Sequence, residues 1–209
     1  MSKNDRFLDK AVESDYHTCM SAKHTIRKTC KRYNEPGHAH ELTFSCFKRR
    51  AFFKRDAARE FLAHAVNLAR RKHRFDLWAY VVMPEHVHLI IWPQLEPYSI
   101  SQILWTMKQS VARKAVNYLQ KNNLQGLRWL ATGQRDDPYR FWLDGGGYDR
   151  NIKDETLLRA VTYIHANPVR RGLVARPQDW LWSSYRGWAG LGEGPVPIDK
   201  ASFPLVLRL

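Results

Sequence analysis

Leu77-Trp78-Ala79-Tyr80-Val81-Val82-Met83-Pro84-Glu85-His86-Val87-His88-Leu89-Ile90-Ile91-Trp92 is the stretch on which the reading of the fold turns. Two apolar runs rich in branched and aromatic residues flank the Met83-Pro84-Glu85 break. Proline cannot donate to a ladder and favours bends, so the segment reads as strand, turn and returning strand. Positions two apart on a strand face the same way. His86 and His88 therefore project together while Val87 turns toward a core. Two neutral imidazoles converging on one point are the beginning of a metal site. Taken alone, a His-x-His is more often a pair of solvated or hydrogen-bonded strand histidines.

Upstream of this hairpin, Leu42-Thr43-Phe44-Ser45-Cys46-Phe47 alternates as a half-buried strand does. A helix follows, with Ala57, Phe61, Ala65, Leu68 and Ala69 at helical spacing and Arg59, Arg70, Arg71 and Lys72 left for water or ligand. Downstream, Ser99 is placed to cap a helix whose Ile103, Met107, Val111 and Ala115 share one side. Residues 122–138 read as loop, and Arg140-Phe141-Trp142-Leu143 as a short strand running into Gly145-Gly146-Gly147. A last helix is expected from a cap at Asp154 to about Asn167, where Pro168 marks its end. The order strand, helix, strand, strand, helix, short strand, helix predicts an α+β fold: a ferredoxin-like (split βαβ) antiparallel sheet with helices packed on it. Residues 1–37 form a basic N-terminal extension closed off by Pro36-Gly37, and 38–190 the main domain. The Trp-rich segment Asp179-Trp180-Leu181-Trp182-Ser183-Ser184-Tyr185 should pack back on the body, and 191–209 is a C-terminal tail.

The 209-residue chain carries 34 lysines and arginines against 20 acidic residues, a formal net charge of +14. Such a surplus on a domain that is 44% hydrophobic suits a polyanionic partner, nucleic acid first and an anionic membrane surface second. No apolar run approaches the roughly 20 residues of a membrane span, and residues 1–10 lack the apolar core of a signal peptide, so a cytoplasmic location is expected. Cys19, Cys30 and Cys46 form no disulfide framework. His17, Cys19, His24 and Cys30 lack the paired Cys-x-x-Cys spacing of a structural zinc site.

Within the last helix, Leu157, Val161 and Ile164 share a face suited to the sheet. Tyr163 lies about 100° away from Ile164, and Asn167 follows on the same side one turn later. Alone, each is more often a boundary aromatic or a helix-end amide than a site residue. Together, Met83-Pro84-Glu85-His86-Val87-His88-Leu89 and the later Tyr163-Ile164-His165-Ala166-Asn167-Pro168-Val169-Arg170-Arg171-Gly172 resemble the REP-associated tyrosine transposases, members of the HUH single-strand transposase superfamily. The resemblance spans residues 38–188. It implies that His86 and His88 hold a metal ion with help from Asn167, and that Tyr163 is the catalytic nucleophile. Tyr118 and Asn122 repeat the Tyr-x-x-x-Asn spacing but lack the following Pro-Val-Arg context.

The implied activity is metal-dependent cleavage and rejoining of single-stranded DNA at hairpin repeats through a 5′-phosphotyrosine. Transesterification at a phosphodiester needs a nucleophile, charge relief on the non-bridging oxygens and in-line geometry. Nitrogen and oxygen ligands with open positions suit Mg²⁺ or Mn²⁺. Lys48, Arg49, Arg50, Arg70, Arg71, Lys108, Arg113, Arg170 and Arg171 are candidate DNA contacts. No residue declares itself as the base for the tyrosine, and His165 is as well read as a solvated or backbone-bonded histidine. Two other readings stay open: a non-catalytic hairpin-binding protein derived from a transposase, and a hydrolase in which water attacks. The resemblance favours a monomer, with a homodimer sharing its sites as the alternative.

Overall fold

Four strands form one antiparallel sheet in the order β2-β3-β1-β4, with β1 at Ala39–Ser45, β2 at Phe75–Val82, β3 at His86–Pro93 and β4 at Tyr148–Ile152. The computed structural model describes residues 34–145 and 147–204, so most of the N-terminal extension and the His17, Cys19, His24, Cys30 set lie outside the described residues. Helices α1 (Asp56–His73) and α2 (Ile100–Asn122) join β1 to β2 and β3 to β4, and α3 (Asp154–Arg170) follows the sheet. The strand order and connections are those of the ferredoxin-like α+β fold.

Strand alternation divides two cores. On β1 and β3, Leu42, Phe44, Val87, Leu89 and Ile91 face α1 and α2. Ala39 and Ile90 face the other way, where they share a cluster with Val81 of β2 and with Leu157, Val161 and Ile164 of α3. A bulge in β2 between Leu77 and Ala79 inserts Trp78, which joins the α3-side core and stacks on Trp92 at 5.5 Å. Ser99 accepts from the Gln102 amide at 3.3 Å, and Ile103, Met107, Val111 and Ala115 are buried as the spacing predicts. On α1 the buried stripe is Ala58, Leu62, Ala65, Val66 and Ala69, one residue round from the expected one, and Leu68 is exposed.

Three boundaries differ from expectation. The fourth strand is Tyr148–Ile152, after the glycine run, and Arg140–Leu143 gives only a bridge from Trp142 to Cys46. Phe141 and Trp142 instead fill the core beside Phe44 and Phe53. The true strand is a polar edge strand with one fully buried residue, Ile152, so hydrophobic alternation does not reveal it. Gly147, at φ +80°, lies so close to the Thr43 carbonyl and Phe44 that a side chain there would collide. The helix α3 begins at Asp154 with Lys153 in the cap position. It runs through Pro168 to Arg170, because a proline in the final turn forfeits one hydrogen bond while Arg171 N still reaches Asn167 O at 3.0 Å.

The Trp-rich segment returns to the outer edge of β2. Val82 N donates to Trp182 O at 2.8 Å and Ser184 N to Tyr80 O at 3.0 Å, while the indoles of Trp180 and Trp188 donate to Val82 O and Trp78 O. Ser184 Oγ accepts from Tyr80 N and sits 2.7 Å from Nε2 of buried His165 on α3. Val196 and Phe203 carry the packing further. Among the described residues no helix is long and apolar enough to cross a membrane.

Ile164 is fully buried whereas Leu158 on the same helix is 48% exposed. Chemical denaturation should therefore show Ile164→Ala costing about 2–5 kcal/mol and Leu158→Ala within about 0.5 kcal/mol of wild type. Burial lowers the pKa of His165 from 6.5 to about 4. Between those values the residue is neutral when folded and protonated when unfolded. Its contribution to stability is complete above pH 6.5 and is lost as pH falls toward 4. Melting curves across that window should fall more gently for His165→Gln than for wild type. His88, lowered in the same direction, retains part of the slope.

Candidate active site

The β1–β3 register sets Thr43 opposite His88 and Ser45 opposite His86. Since Val87 and Leu89 enter the α1–α2 core, His86 and His88 stand on the opposite face, the one that carries α3. Their Nε2 atoms face each other at 3.0 Å. Their other ring nitrogens are occupied: His88 Nδ1 lies 2.8 Å from Thr43 Oγ1, and His86 Nδ1 lies 3.1 Å from Glu85 Oε1. Outer partners of this kind fix the ring orientation and tautomer of ligating histidines. The two Nε2 atoms are within hydrogen-bonding distance, and the tautomer of each ring decides which of them donates.

His88 is 8% exposed, and burial first, then the neighbouring His86, lowers its pKa to about 3. It is therefore a neutral nitrogen donor across the physiological range. Glu85 is held at about 2, chiefly by its hydrogen bond to His86 and further by the charges of His86 and Arg171, against the opposing effect of burial. The donor set fits a divalent cation with open positions. Among the described residues no group of three or more His, Cys, Asp or Glu is placed to hold a metal ion.

The helix α3 approaches from the same face. Its far end is joined to the start of β3 by Arg171 Nη2, which donates to Glu85 Oε1 at 3.1 Å. Tyr163 is 47% exposed, and the Arg170 guanidinium lies 5.0 Å from the centre of its ring. Asn167, one turn beyond Tyr163, is 9% exposed. His165 faces inward to Ser184, away from any role at the tyrosine.

The cations expected to meet DNA divide by location. Arg170 and Arg171 lie at the end of α3, and Lys48, Arg49 and Arg50 follow β1 where it leaves His86. Arg70 is tied to Asp199 and to Pro197 O, and it and Arg71 sit toward the opposite end of the sheet, where Phe75 pairs with Pro93. Lys108 and Arg113 belong to α2 on the other face, Lys108 lying 5.3 Å from the Phe44 ring centre. Thr43 and the Glu85–Arg171 bridge were not foreseen as parts of the site. Glu85 stands inside the hairpin motif but reads there as a turn residue, and nothing local marks Thr43 before the register is known.

Residues 37–130 match the family model described as transposase IS200 like. Over 142 residues the chain is 29% identical to the REP-associated tyrosine transposase of Escherichia coli strain K12, covering 68% of this chain and 72% of that protein. The structure of a REP-associated tyrosine transposase bound to a REP hairpin aligns with a TM-score of 0.60 at 23% identity, over 83% of this chain and 93% of that one. A putative transposase from Deinococcus radiodurans R1 aligns with a TM-score of 0.41 at 16% identity, over 64% of this chain and 94% of that one. Over residues 37–130 the chain is thus similar to the IS200-like transposases, and over a longer span to a REP-associated tyrosine transposase, with which it also shares its fold.

Proposed function

We propose that this chain binds hairpin-forming DNA and cleaves and rejoins a single strand, with Tyr163 as nucleophile. The observation that carries the proposal is the pair of Nε2 atoms 3.0 Å apart on the sheet face that carries the tyrosine helix. The solved relative bound to a REP hairpin supports a hairpin as the substrate class.

His86, His88 and the Asn167 amide oxygen would hold Mg²⁺ or Mn²⁺, and the ion would supply charge relief at the non-bridging phosphate oxygens. The protein does the rest. The Tyr163 oxygen attacks phosphorus, the bond from phosphorus to the 3′ oxygen breaks, and the leaving oxygen takes a proton to become a free 3′-hydroxyl. The phosphate stays on the tyrosine as a 5′-phosphotyrosine. Because one phosphodiester replaces another, reversal by a new 3′-hydroxyl rejoins strands without a nucleotide cofactor. Arg170, stacked on the Tyr163 ring, lies where it can offset charge building on phenol and phosphate. Arg171 and Glu85 link the end of the tyrosine helix to the start of the histidine strand.

Incubated with hairpin DNA and Mn²⁺ or Mg²⁺, wild type should form a denaturation-resistant protein–DNA adduct that chelation prevents. Tyr163→Phe should abolish the adduct while leaving hairpin binding intact, and Tyr118→Phe should keep it. Binding without any adduct would favour the non-catalytic reading, and cleavage without one the hydrolase. Removing the hydroxyl behind His88 in Thr43→Val should weaken Mn²⁺ binding, measured by calorimetry, by about 10–100-fold with little change in fold.

A further inference from the structure

On the sheet face away from His86 and His88, α1 and α2 leave a groove of about 530 Å³. That lies within the roughly 300–1,000 Å³ of small-ligand sites. Phe52, Phe61, Leu119 and Phe141 give it an apolar lining, and exposed Tyr118 and Trp129 stand at it with 44% and 51% of their surfaces free. The charged residues lining it are all cationic: Arg50, Arg55 and Arg128, with no acidic residue among the described ones. Arg50 and Arg128 each lie 5.1 Å from the Trp129 ring centre, and Arg50 also donates to the Trp129 carbonyl.

We infer that this groove is a second nucleic-acid subsite that takes unpaired bases of the strand being processed, an inference that rests on the strand-transfer reading above. Flat π faces and guanidinium planes in an apolar cleft suit bases, and a solely cationic lining suits the phosphates between them. A second copy of this chain would bring its own net charge of +14 against the same arginines. Tyr118 thereby gains a role as an aromatic platform, while Asn122, which shares its spacing with Asn167, only donates to the Tyr118 carbonyl at 2.9 Å.

A route joins the groove to the active site. Ser45 pairs with His86, and the chain then turns the end of the sheet through Lys48 and Arg49 to reach Arg50 in the groove lining. Lys48 and Arg49 both adopt left-handed backbone, at φ 52° and 50°, and both are exposed. Side-chain-bearing residues occupy that region rarely and at a cost that surrounding structure must offset. Three consecutive cations, Lys48, Arg49 and Arg50, thus connect the strand end beside His86 with the groove.

The test compares two oligonucleotide probes, a blunt DNA hairpin and the same hairpin with an unpaired tail of about ten bases, a length on the scale of single-strand sites. Wild type should bind the tailed probe more tightly. Tyr118→Ala and Arg128→Glu should each weaken tailed-probe binding roughly tenfold or more, the range of losing one stacked base, without changing blunt-hairpin affinity or melting temperature. Thiothymine placed in the tail should photo-crosslink to Tyr118 or Trp129. A tail that adds no affinity, variants that weaken both probes equally, or crosslinks confined to α3 would overturn the groove assignment while leaving the strand-transfer reading intact. Failure of wild type to bind either hairpin would overturn both. Loss of a dimer in the same variants, seen by sedimentation, would assign the groove to self-association instead.

Discussion

A single residue of register between β1 and β3 decides where two imidazoles stand. Thr43 pairs with His88, and Val87 and Leu89 fill the core beneath α1 and α2. A slip by one position would send both histidines into that core and turn Val87 and Leu89 toward α3, because side chains of an unbulged strand alternate between its faces. The apolar core thus enforces the site: every buried branched residue on β3 resists the slip, and the histidines inherit their direction from that resistance. Thr43 then converts direction into orientation by holding one ring nitrogen.

The helix α3 is the second half of the arrangement and is positioned by different forces. Leu157, Val161 and Ile164 press it onto the sheet, His165 ties it to the returning chain through Ser184, and Arg171 ties its end to Glu85. Three sides of one helix are thereby committed to structure. The remaining side carries Tyr163, exposed and accompanied by a guanidinium. The proposed nucleophile would have to meet a substrate yet be held still, and a helix anchored on its other sides suits both demands.

Much of this was legible in the chain itself. The hairpin around Pro84, the cap at Ser99 and the buried faces of α2 and α3 follow from local patterns whose periods match the structure. The fourth strand was not, because Tyr148-Asp149-Arg150-Asn151-Ile152 is polar and earns its place by pairing with β1, a non-local event. Phe141 and Trp142 misled for the complementary reason: they are apolar because they plug the core, and they add only a bridge to Cys46 at the end of β1. At the candidate site, His86, His88 and Tyr163 were expected from spacing and resemblance, whereas the place of Thr43 beside His88 depends on register. The basic surplus could be counted but not apportioned. Arg70 is spent on Asp199, and Arg50 belongs to a groove on the far face of the sheet.

The returning Trp-rich segment has a consequence for how copies of this protein meet one another. An open sheet has two unsatisfied margins, each able to recruit a foreign strand. Along β2 that margin is occupied by the chain's own Trp182–Ser184 backbone, and along β4 it is short and polar, with the Arg150 side chain paired to Glu41. The returning Trp-rich segment thus takes up the backbone groups of β2 at Tyr80 and Val82 that would otherwise be open to a foreign strand.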